Sequence, residues 1–181
     1  MPGAQFGLHS DGRLKSSALD SRERKTVECV CVPDFSAPYR FRDWPDHSVP
    51  DVAAGVYAVW RDAGELVYVG MSGRGMETRA STGKRFGLYT RLASHAGGRL
   101  SGDQFNVYVA NRYVLPALSS TDLPLFATGE LNLDTLTKRY IGEHFSYSFA
   151  ITQTSREAHD LERAARQGRT FGVKPTLNPL D

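Results

Sequence analysis

Two short runs limit what this chain can fold into more than any other feature: Gly55-Val56-Tyr57-Ala58-Val59-Trp60 and Leu66-Val67-Tyr68-Val69-Gly70. Both are apolar and rich in β-branched and aromatic residues. They flank Arg61-Asp62-Ala63-Gly64-Glu65, which has the composition of a hairpin loop. Successive side chains in a strand take opposite faces, so Tyr57 and Val59 share one face while Val56, Ala58 and Trp60 share the other. Two paired strands with a tyrosine each can therefore project both rings into one pocket.

The rest of the chain supplies elements to cover such a hairpin. Phe86 to Ala96 reads as a helix, with Leu88 and Leu92 one turn apart and Gly97-Gly98 as its stop. Phe105 to Ala110 alternates in β fashion and predicts a strand. A helix is expected over 135–144, then a strand at Phe145–Ile151 whose Phe145, Tyr147, Phe149 and Ile151 share a face. Thr154-Ser155-Arg156-Glu157 is a capping box opening a helix over 154–167.

The predicted fold class is thus α+β, sandwich-like. A small, mainly antiparallel sheet is built on the hairpin at about 55–70 and the strand near 145–151, with helices near 86–96, 135–144 and 154–167. Residues 1–50 read as an N-terminal extension, mobile over its first half and carrying an extra strand at Thr26–Val32. Its aromatics Phe35, Tyr39, Phe41 and Trp44 imply a packed loop before the main domain at 51–181, which has an insertion around 97–133.

Composition excludes several classes. With 23% charged and 40% hydrophobic residues, the chain is neither disordered nor membrane-embedded, and no apolar run reaches the roughly 18 residues of a spanning helix. The first 25 residues lack the apolar centre of a signal peptide, so the cytoplasm is the expected compartment. Cys29 and Cys31, two apart in an alternating run, suit reduced structural thiols better than a disulfide framework.

The net charge of +2 is unevenly spread. Arg74, Arg79, Lys84, Arg85, Arg91 and Arg99 face a single acid, Glu77, between Met71 and Arg99, so the remainder is net negative. A basic concentration of this kind, part of it on the long Gly- and Ser-broken loop from Met71 to Lys84, attracts phosphate backbones.

Taken in order, these features resemble the GIY-YIG nuclease family. Gly55-Val56-Tyr57 stands for the first tripeptide and Tyr68-Val69-Gly70 for the second, each with Val in place of the middle Ile and with ten residues between the tyrosines. Arg91 falls where the family keeps an arginine on its first helix, Glu162 where it keeps a metal-binding glutamate, and Asn178 where it keeps a terminal asparagine. His95, four residues beyond Arg91, looks like a histidine of some restriction enzymes of the family. The similarity spans roughly residues 52 to 179 and departs from a minimal family domain in the long stretch between His95 and Glu162.

What the resemblance implies is a metal-dependent endonuclease hydrolysing phosphodiester bonds of double-stranded DNA, in restriction or defence. Repair and mobile-element roles, or a nucleic-acid-binding module without turnover, are the alternatives. Tyr57, Tyr68, Arg91, His95 and Glu162 are the implied catalytic set, Glu162 holding Mg²⁺ or Mn²⁺. Arg74, Arg79, Lys84, Arg85 and Arg99 are expected on the nucleic acid. Gly55, Gly70 and Asn178 are expected in support. A homodimer is compatible with cutting two strands, though no self-association surface is visible.

The chemistry suits these residue types. Arg91 can neutralise phosphate charge with a planar fork of donors, and a single carboxylate can hold a largely hydrated Mg²⁺. Tyr57 is the implied base. An unperturbed phenol ionises near pH ~10, so it would need nearby cations, with Lys84, Arg85, Arg91 and the metal as candidates. His95 offers a second route, either relaying for Tyr57 or acting directly. Tyr68 either orients water or phosphate, or packs.

Overall fold

The hairpin forms as its alternation predicts. In the computed structural model, which describes residues 34–74 and 84–178, β2 (Val52–Arg61) and β3 (Glu65–Ser72) pair antiparallel, with Tyr57 opposite Gly70 and Val59 opposite Tyr68. A bulge between Val59 and Trp60 shifts the register near the turn. On its other side β2 pairs antiparallel with β5 (Phe145–Thr152), Tyr57 lying opposite Phe149. A two-residue β1 (Tyr39–Arg40) adds to the far side of β5, and β4 (Phe86–Gly87) pairs parallel with the start of β2. The sheet order is β1-β5-β2-β3, and the protein is α+β.

The period of two divides the core. Tyr57, Val59, Tyr147 and Phe149 face one layer, where they meet Leu88 and Leu92 of α1 (Leu88–Gly97), Phe105 and Val109 of α2 (Gln104–Val109) and Ile141 of α4 (Leu133–His144). Val56, Ala58, Val69 and Ala150 face the other, covered by Ala158, Leu161 and Ala165 of α5 (Ser155–Arg166). Those three side chains recur at helical spacing, which gives α5 one apolar stripe. Thr154 caps it by accepting from the Glu157 N–H at 3.1 Å. The Glu157 carboxylate reaches back to the Gln153 N–H, one residue before the cap, rather than to Thr154 itself.

Two expectations need correction. Phe105–Ala110 is not a strand: it forms α2, continuing into a π-helical turn at Ala110–Val114, and short α3 (Leu123–Thr128) follows before α4. Asp103 caps α2, and helical spacing sends Phe105 and Val109, four apart, together into the core, where both are almost fully buried. That burial outweighs the β preference of the individual residues. The fold also begins before residue 51. Phe41 and Val49 are core residues, Ser36 N–H bonds the Phe149 carbonyl, and Trp44 packs on Tyr89 and Tyr147. The strand expected at Thr26–Val32 and both cysteines lie outside the described residues. No helix among the described residues is long and apolar enough to cross a membrane.

Thr176, Leu177 and Asn178 close the edge strand. Thr176 and Leu177 donate backbone bonds to Leu66 and Val67 of β3, and the Asn178 amide then takes over the pattern. Its Oδ1 accepts from Val69 N–H at 2.7 Å and its Nδ2 donates to the Val69 carbonyl at 2.8 Å. Asn178 thus braces β3 between Tyr68 and Gly70.

Candidate active site

The C-terminal end of β3, α1, the start of α2 and α5 surround an open cleft of about 740 Å³. Tyr57, Tyr68, Arg91, His95 and Glu162 all line it, as do Gly70 and Arg74. Residues from both sequence tripeptides and from two separate helices therefore meet at one place.

Tyr57 reaches the cleft from the central strand and is only 2% exposed. Its ring is accommodated because residue 70 has no side chain: a Cβ on Gly70 would lie 2.6 Å from Tyr57 Cζ and 3.0 Å from Tyr68 Cε1. Gly55 has a comparable role where β2, β5 and α1 crowd together, since a Cβ there would collide with the Ala150 carbonyl and lie 2.8 Å from Leu88 Cδ1. The two glycines are thus packing positions, one of them directly under the tyrosine.

The Tyr57 hydroxyl lies 2.8 Å from His95 Nε2. His95, 1% exposed, lies 2.7 Å through Nδ1 from Asp103 Oδ2. Asp103 is itself buried, and also accepts from the Ser94 hydroxyl at 2.6 Å and from the backbone N–H groups of Phe105 and Asn106. The Phe105 ring packs 4.6 Å from the imidazole, and Tyr68 meets it edge-on at 6.0 Å. Both imidazole nitrogens are engaged.

Burial governs the electrostatics. It pushes the Tyr57 phenol well above its ordinary value, helped by Tyr68 and the Asp103 and Glu162 carboxylates and opposed by Arg91. Tyr68 is pushed up to about 12, again by burial first and by the same two acids. Of the three side chains named as candidates to lower the phenol, Arg91 does so, and burial with the nearby acids outweighs it. Arg85 turns to Asp51 at 2.8 Å and lies over the Tyr89 ring. Burial also holds His95 below its usual value despite the Asp103 contact that favours its charge. Burial pushes Asp103 up, but the His95 contact together with Ser94 and Asn106 outweighs it and holds the carboxyl below its ordinary value. At neutral pH the array is a neutral phenol, a neutral imidazole and a carboxylate.

The α5 wall carries His159, Glu162 and Arg166 toward the cleft, three and four residues apart. Glu162 is partly buried and lies 4.0 Å from Arg166. Arg91, exposed on α1, faces the same space. Of the expected nucleic-acid contacts, Arg74 lines the cleft, whereas Lys84, Arg85 and Arg99 are exposed outside its lining and Arg79 lies outside the described residues. Sequence reasoning missed Ser94, Asp103, Gln104, His159 and Arg166. The signal for Asp103 was the helix cap it forms, hidden once 105–110 is read as a strand.

Family models, curated proteins and solved structures were all searched, and no match to this chain was found.

Proposed function

We propose that this cleft is the active site of a metal-dependent endonuclease of the GIY-YIG type, hydrolysing phosphodiester bonds of double-stranded DNA in restriction or defence. One observation carries the reading: the five polar side chains that the family resemblance implies line a single cleft, although they come from two strands and two helices.

The residues divide the work in a consistent way. Arg91 and Arg74 hold phosphate oxygens and offset the negative charge that grows on them. Tyr57 takes a proton from the attacking water while its own hydroxyl proton passes to His95 Nε2. A direct base role for His95 fits less well, because its two nitrogens are already committed to Tyr57 and Asp103. The ester P–O bond then breaks, and the leaving oxygen takes a proton from water. Tyr68, less buried, can orient the water or phosphate by its hydroxyl.

Glu162 would hold Mg²⁺ or Mn²⁺. One carboxylate lining an open cleft, with Arg166 4.0 Å away on the same helix, fits a hard ion that keeps most of its water. When bound, such an ion supplies Lewis-acid stabilisation of the phosphoryl and leaving oxygens. Part of the upward push on both phenols comes from the Glu162 charge, and neutralising that charge relieves it.

Incubation of supercoiled plasmid with the protein and Mg²⁺ tests this reading. Nicked and linear products are expected, lost with EDTA and with Glu162→Ala. Cleavage that survives the substitution removes Glu162 from the metal role. Binding without cleavage under every divalent ion favours the module without turnover.

A further inference from the structure

The carboxylate behind His95 splits its two oxygens between two tasks. Asp103 Oδ1 accepts from the backbone N–H groups of Phe105 at 3.1 Å and Asn106 at 3.4 Å, which starts α2. Oδ2 faces His95 Nδ1 at 2.7 Å and takes the Ser94 hydroxyl at 2.6 Å. We propose that Asp103 is a positioning residue that fixes the tautomer of His95, placing the ring proton on Nδ1 and leaving Nε2 bare for the proton of Tyr57.

Donor and acceptor counting leads to this assignment. A carboxylate only accepts, so the hydrogen between Asp103 and His95 belongs to Nδ1. A neutral imidazole has one N–H, and Nε2 is then an acceptor. The 2.8 Å contact on that side is consequently Tyr57 donating its hydroxyl hydrogen. With the opposite tautomer, Nε2–H would point at the phenol oxygen and Tyr57 could not pass its proton on. The groups that act on His95 are Tyr57 and Tyr68 from the sheet, Arg91 from its own helix, and Asp103 and Phe105 at the start of α2, with Ser94 held on the Asp103 carboxylate. Among them Asp103 is the one that accepts at Nδ1.

The cap makes a selective test possible. In Asp103→Asn the amide oxygen stays on the two backbone N–H groups, since an amide nitrogen there would set donors against donors. The amide NH₂ then faces His95 Nδ1 and forces the proton to Nε2. The substitution therefore preserves the start of α2 while reversing the tautomer.

The catalytic consequence rests on the nuclease reading, whereas the tautomer does not. Long-range ¹H–¹⁵N correlations of the histidine rings are measured on the full chain, wild type and Asp103→Asn, with plasmid cleavage as a second readout. The wild type is expected to show a protonated Nδ1 and a bare Nε2 at His95, and the variant the reverse. Cleavage should fall about 10²- to 10⁴-fold, the range set by loss of an oriented acid–base pair. Ser94→Ala, which removes only a donor to Oδ2, should retain the wild-type tautomer. A wild-type His95 protonated on Nε2, or a variant still protonated on Nδ1, overturns the inference. So does a reversed tautomer with undiminished cleavage. The wild-type spectrum alone decides the assignment should the variant not fold. A bare Nε2 in a wild type that cleaves nothing upholds the assignment and removes the nuclease reading instead.

Discussion

Gly70→Ala tests the packing on which the site depends. An added Cβ would lie 2.6 Å from Tyr57 Cζ and 3.0 Å from Tyr68 Cε1, against an ordinary carbon–carbon contact of about 3.5–4.0 Å. The end of the Tyr57 ring must move by about 1 Å. Tyr57 is 2% exposed and its ring packs against Tyr68 and His95, so the shift disturbs those contacts. Overpacking of this kind costs about 1–3 kcal/mol, and each kcal/mol lowers the melting midpoint of a chain this size by about 2–4 °C. A displacement of that size also disturbs the geometry of the 2.8 Å contact with His95, which predicts about a 10²-fold loss of cleavage. Thermal melts in two backgrounds provide the assay. In Tyr57→Leu, where the ring is gone, the added methyl should cost much less than in wild type, a non-additivity expected only of residues in contact. Equal destabilisation in both backgrounds, or none in wild type, refutes this packing.

Further predictions concern acid stability, the edge strand and the phosphate contact. His95 is held below its ordinary value of 6.5, so the unfolded chain takes up a proton that the folded chain refuses, and stability falls as pH drops below about 6.5. Asp103, also held low, contributes stability above its unfolded value of 3.8 that is lost as pH falls through its folded value, so both groups act in the same direction. Denaturant titrations should show the upper part of this decline weakened in His95→Gln. Asn178→Ala removes both partners of the buried Val69 backbone, costing about 1–3 kcal/mol, and Val69 amide exchange should accelerate correspondingly. Arg91→Ala should lower plasmid cleavage about 10²- to 10³-fold while changing stability by less than about 0.5 kcal/mol, since the side chain is exposed.

Much of this arrangement was legible in the sequence because it follows from short-range periodicity. Alternation at 55–60 and 66–70 puts Tyr57 and Tyr68 on one face, and the spacing of Ala158, Leu161 and Ala165 fixes which side of α5 is buried. Glu162 then falls at the margin of that buried stripe, where it reaches the cleft. The region from Gly97 to Asp103 was different. Phe105-Asn106-Val107-Tyr108-Val109 has strand composition, and only tertiary burial of Phe105 and Val109, with the Asn106 amide bonded to the Ser94 and Arg99 carbonyls, makes it a helix. Reading it as a strand removed the reason to see Asp103 as a cap turned back toward the end of α1. The effect of burial on the phenols was also hidden, because the desolvation that raises them depends on neighbours remote in sequence. Arg85 illustrates the same gap, since its partner Asp51 lies far along the chain.

We propose that Tyr57 is the proton acceptor in phosphodiester cleavage at this cleft. Single-turnover cleavage of supercoiled plasmid in Mg²⁺ by wild type and by Tyr57→Phe tests it most directly, because the substitution removes one oxygen and keeps the buried ring. Cleavage by the wild type and at least a ~10²-fold slower rate in the variant are expected; equal rates for the two proteins would remove Tyr57 from that role.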